Sequence, residues 1–143
     1  MQRTSTIFAR TVFTAGGVWG VAVLMPLYFS FDAIGRLYPP PITHPDFFYG
    51  FVGVALVWQL VFLLIGRDPV GLRVMMIPAM LEKFIYVSTL SVLYARGRLS
   101  SDQFIFVVPD LLLGALFAVA FAKIALARRP PVSSLDYSGV FSD

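Results

Sequence analysis

The chain has 143 residues, 58% hydrophobic and 13% charged, with a formal net charge of +3; soluble domains carry roughly 25% charged residues, so an ordinary water-soluble domain is excluded. With no cysteine and one histidine, disulfides, thiolate metal sites, cysteine nucleophiles and a bis-histidine haem are excluded as well. The basic residues flank apolar runs rather than forming a patch, which marks membrane topology and argues against nucleic acid.

Taken in chain order, the first apolar run covers residues 8–31 behind Arg3 and Arg10. It is too long for a signal-peptide core and lacks a small-x-small cleavage site, so it is expected to be an uncleaved span. The second, 47–65, is interrupted only by Gln59 and ends at Gly66-Arg67-Asp68-Pro69, a composition that suits a hydrated turn between antiparallel helices. The third covers 70–94 and the fourth 102–127, with Ser100 or Ser101 placed to cap the last helix. From Pro130 to Asp143 the tail is polar and serine-rich. Apolar on every face, the runs are too long for barrel strands, and a helix satisfies its own backbone in hydrocarbon. The expected fold is therefore all-α, an integral membrane antiparallel four-helix bundle forming a single domain over residues 1–129.

Arg3, Arg10, Arg67, Arg73, Lys123, Arg128 and Arg129 fall on one side of such a bundle and Arg36, Arg96 and Arg98 on the other. The excess predicts both termini on the cytoplasmic side of a bacterial inner membrane. Tyr28, Tyr38, Tyr49 and Tyr94 cluster at the opposite boundary, where aromatic belts are found.

Ionisable groups at bilayer depth cost at least about 2.5–3.5 kcal/mol each on insertion scales, which singles out Glu82, Lys83 and Asp110, with Gln59 as a neutral companion. Gln59 and Glu82 are placed at similar depth on consecutive spans, and a hydrogen bond between them is expected. Pro78 frees the carbonyl of Val74 and predicts a kink just before Glu82. Lys83 is too deep to reach the boundary with its side chain and so faces protein or water. Two readings stand for these residues: an ion pair that fixes packing register, or proton handling and ligand binding. Catalytic candidates, if the chain is an enzyme, are Glu82, Asp110, Lys83 and Gln59.

Small-residue seams at Gly16 and Gly20, with Gly17 beside them, and at Gly114, Ala118 and Ala122 predict close helix approach, within the bundle or towards another subunit. In the first outer loop, Tyr38-Pro39-Pro40-Pro41 stiffens the connection, and His44 is the one weak candidate for binding a cofactor such as a pigment magnesium. No phosphate loop, nucleophile elbow or metal-binding helix is present, and no metal site is expected.

The stretch from His44 to Phe51, followed by Trp58-Gln59, Gly66-Arg67-Asp68-Pro69 and Leu81-Glu82-Lys83-Phe84, resembles small bacterial four-span proteins of unassigned function. The resemblance covers residues 39–123 and implies the four-helix architecture, without an activity. On sequence alone the first expectation is a structural or accessory subunit of a larger membrane complex, respiratory or photosynthetic for example, without its own redox cofactor. Its partners would be membrane lipids and other subunits or copies of itself. The alternative is a small membrane enzyme or binder of an isoprenoid or sterol-like lipid that uses the intramembrane carboxylates.

Overall fold

The computed structural model describes residues 2–127, so the C-terminal tail and Arg128 and Arg129 lie outside the described residues. Among the described residues every regular element is helical: α1 Gln2–Leu24, α2 Phe31–Leu37, α3 Pro45–Arg67, α4 Met76–Ala95, α5 Ser101–Phe104 and α6 Val107–Ala127. Short 3₁₀ segments at Met25–Phe29 and Arg73–Met75 extend α1 and precede α4. Four stretches are long and apolar enough to cross a membrane, Gln2–Phe29, Pro45–Arg67, Arg73–Ala95 and Ser101–Ala127. The expected all-α four-helix arrangement is therefore present; its membrane character follows from length and composition.

Prolines set the helix starts. Pro45 opens α3 in the first turn, where a missing N–H costs nothing. Pro78 and Pro109 each stand third in their helices, α4 and α6, again within the turn whose amide hydrogens have no intrahelical acceptor. The expected kink at Pro78 is thus corrected: the proline sits at the junction of a 3₁₀ turn and α4, and no helix interior is broken. Ser100 makes a full capping box, accepting from the Gln103 backbone N–H at 3.4 Å while Gln103 Oε1 accepts from the Ser100 N–H at 3.0 Å. At the far end of α4, Gly97 takes φ +67°, with Arg98 N–H donating to Leu93 O and Gly97 N–H to Tyr94 O, both at 2.9 Å. This is a Schellman ending, which favours glycine because the left-handed backbone crowds a Cβ.

Sequence neighbours are not the principal packing partners. α1 lies along both α3 and α6, α4 lies along α6, and the consecutive helices α3 and α4 barely touch. The order in space is α3, α1, α6, α4. One end gathers the basic groups: Arg10 donates to Arg67 O at 3.2 Å, Arg73 stands over the Phe121 ring and Lys123 over the Phe8 ring. At the opposite end Tyr28 stacks on Tyr49 and Phe31 on Tyr49, tying α2 and the 3₁₀ extension of α1 to α3.

The largest buried cluster lies in the basic half, with Val52, Ala55 and Val107 buried apart from it. Ala9, Val12, Phe13, Phe62, Ile65, Met76, Ala79, Phe117, Ala120 and Ile124 form one buried cluster. At its centre Phe13 stacks on Phe117 with ring centroids 4.0 Å apart, and Phe62 meets Phe117 edge-on at 5.0 Å. In hydrocarbon, burial of apolar surface brings little transfer gain, so contacts of this quality carry the association; each aromatic pair contributes about 0.5–1.5 kcal/mol beyond area. Past this cluster α3 and α4 stand apart. Buried positions cease after Gly17 in α1 and after Lys83 in α4, and between Val107 and Gly114 in α6 none is found.

Candidate functional site

At the edge of the buried cluster, the three ionisable residues of the spans come together. Glu82 and Lys83 stand one turn beyond Pro78 in α4, and Asp110 follows Pro109 in the first turn of α6, where a carboxylate also favours the helix N-terminus. Lys83 is buried, its side chain 8% exposed, because Gly114 lets α6 approach closely: a Cβ added at Gly114 would lie 3.2 Å from Lys83 Cβ. From there Lys83 Nζ reaches Asp110 Oδ1 at 2.5 Å and Glu82 Oε2 at 3.2 Å. It also lies 5.3 Å from the centre of the Phe62 ring on α3.

One cation therefore serves two carboxylates, and the sharing is unequal. Asp110 has the shorter contact. Glu82 holds Lys83 through a long hydrogen bond at 3.5 Å to Oε1, while its Oε2, although within ion-pairing distance, is buried and off the hydrogen-bond direction. Glu82 is the carboxylate in surplus.

Glu82 also lines a cleft of about 910 Å³ between α3 and α4. Phe47, Phe51, Val54 and Trp58 form one wall, and Leu81, Ile85, Tyr86 and Thr89 belong to the other. Phe51, Leu81 and Ile85 are at least half exposed, so the cleft opens sideways along its length. Gly50 belongs to the same lining and has open space beside it, with no atom within 4 Å of an added Cβ. The cleft exists because α3 packs on α1, and α4 on α6, instead of on each other.

Gln59 is not part of this site. Its Nε2 donates to Ala55 O at 2.9 Å and its side chain faces α1, where a Cβ on Gly20 would overlap the amide. The expected Gln59–Glu82 hydrogen bond is absent, because the Gln59 side chain lies against Gly20 of α1 and the consecutive helices α3 and α4 make few contacts. Gln59 Oε1 is buried without a hydrogen-bond partner.

The seams divide. Gly16 abuts Leu113 and Phe117 of α6, whereas Gly17 abuts Leu63 of α3 and Gly20 abuts Gln59, so the glycines of α1 serve two neighbours within the bundle. In α6, Gly114 is buried, Ala118 is half-buried and Ala122 is exposed; Ala120 takes the buried place instead. His44 is the exposed N-cap of α3, its ring 5.9 Å from that of Phe47, and no group of three metal-ligating side chains forms among the described residues. Ser91 donates back to Val87 O at 2.7 Å, as hydroxyls in helices do.

The arrangement defines a class: an all-α, four-helix chain with a shared-cation ion cluster at the floor of a laterally open apolar cleft. Comparison with protein-family models, with characterised proteins and with solved structures finds no match.

Proposed function

We propose that the protein is a multi-pass membrane protein that binds a small amphipathic molecule, whose apolar body lies in the α3–α4 cleft and whose polar group reaches Glu82. The observation that carries this reading is the position of Glu82: a carboxylate incompletely served by Lys83, in the wall of a cleft that is otherwise mostly apolar. Binding sites for small molecules combine such apolar walls with a few placed polar groups. An isoprenoid or sterol-like lipid belongs to this class of ligand, and proton exchange with Glu82 would be the simplest chemistry. The accessory-subunit role expected first from sequence needs only an apolar outer surface, which any membrane helix has; the cleft and its carboxylate give the binding reading a specific feature.

In the bacterial inner membrane expected from the sequence, the gathering of Arg10, Arg67, Arg73 and Lys123 at one end favours that end on the cytoplasmic side. The end of the cleft lined by Asp46 and Phe47 then lies towards the outer face.

The test is native mass spectrometry of the chain extracted in mild detergent, comparing the wild type with Gly50→Phe. The substitution enters open space and removes a helix-interior glycine, worth up to about 1 kcal/mol in helix stability. A bound small molecule is expected with the wild type and absent from Gly50→Phe at equal folded yield. Extraction of the wild type only within a large heteromeric complex, with the cleft unliganded, would overturn the proposal in favour of a subunit role.

A further inference from the structure

The cleft has a chemical bias beyond its shape. Among the residues that line it are two carboxylates, Asp46 and Glu82, and four aromatic rings, Phe47, Phe51, Trp58 and Tyr86, with no Lys, Arg or His. Asp46 has an ordinary role in the first turn of α3, but Glu82 has none that its surroundings complete. Its one cation is 2.5 Å from Asp110, so the cluster of Glu82, Lys83 and Asp110, with all three ionised, has one negative charge in excess. An uncompensated charge at this depth is expensive. A cation in the cleft beside Glu82 would neutralise the excess, and aromatic faces stabilise cations that have shed their water.

Resting on the binding reading given above, we infer that the cleft selects lipophilic cations, molecules with an apolar chain or ring system and an ammonium group placed against Glu82 and the rings of Trp58 and Tyr86. An apolar alcohol of the same size fits the walls but leaves the excess charge uncompensated. An anionic amphiphile is repelled by both carboxylates.

The experiment uses the full chain in phosphatidylcholine nanodiscs, with empty nanodiscs as the partitioning control. The chain has two tryptophans; Trp19 is exposed on α1, so Trp19→Phe leaves Trp58 as the reporter inside the cleft. Three probes share a twelve-carbon chain: dodecyltrimethylammonium, dodecanol and dodecyl sulfate. Trp58 emission is expected to report the cation binding about tenfold more tightly than the alcohol, with the sulfate weakest. Glu82→Gln should bring the cation to the alcohol's level, and Gly50→Phe should weaken all three. Equal binding of cation and alcohol, or tighter binding of the sulfate, would overturn the selectivity while leaving a working cleft. Binding of none of the probes, or binding indifferent to Gly50→Phe, would overturn both this inference and the function on which it rests. The three-probe comparison on the chain with native Glu82 decides the selectivity by itself, so it holds even where Glu82→Gln fails to fold.

Discussion

Replacing Lys83 by Met keeps most of the side-chain volume and removes the one cation that faces Asp110 at 2.5 Å and Glu82 at 3.2 Å. At an effective dielectric of about 20 these contacts correspond to attractions of about 7 and about 5 kcal/mol, before the offsetting cost of dehydrating the ions. The variant leaves two carboxylates confined together without a counter-ion, and breaking a buried pair in this way costs about 3–5 kcal/mol. Thermal unfolding in detergent, followed by fluorescence-detected size exclusion, should show a midpoint lowered by about 10 °C or more. Charge arithmetic sharpens the expectation. Asp110→Asn leaves one lysine facing one glutamate and should cost far less, about 1–2 kcal/mol. The double variant Lys83→Met/Asp110→Asn restores the wild-type net charge and should recover part of the loss. If Lys83→Met melts with the wild type, or if Asp110→Asn is as damaging, the cluster does not hold the bundle as argued.

Gly20→Leu should destabilise strongly, because its side chain would displace the buried Gln59 amide, whereas Gly50→Leu should be neutral or stabilising; the two melting curves side by side check the packing of α1 on α3. Gly97→Ala should cost about 1–2 kcal/mol through its φ of +67°, read as a lowered midpoint with unchanged helical content. Ser100→Ala should cost about 1 kcal/mol by removing the capping box, detectable as the same kind of shift. Because the chain contains no cysteine, single cysteines report topology directly: residue 98 should react with an impermeant maleimide added outside intact cells, and residue 70 only after lysis. The reverse pattern would invert the proposed orientation.

The four long helices were legible because hydropathy integrates over a whole span, and the Ser100 cap because its chemistry is local, although it opens the short α5 and not α6 itself. The breaks near Met25 and Arg73 were not, since a 3₁₀ turn is as apolar as the helix it extends. Pairing Gln59 with Glu82 failed because consecutive helices need not be contact partners. The Lys83–Asp110 contact was not legible, because Lys83 stands twelve residues before the end of α4 and Asp110 in the first turn of α6, with α5 in the connection between them. Within the bundle the Gly114, Ala118 and Ala122 seam keeps only its first member at a close contact, because each four-residue step advances about 40° around the helix. Over two steps the stripe rotates off the contact face, and Ala120 with Ile124 continues it. The cleft had no signature in the sequence, as it depends on which helix pairs separate.

A bundle with its largest buried cluster towards one end and α3 and α4 apart beyond it is asymmetric across the bilayer. On the proposed reading the cleft opens sideways towards the acyl chains, so a guest enters from the lipid rather than from water. Exchange is then lateral, along the plane of the lipid.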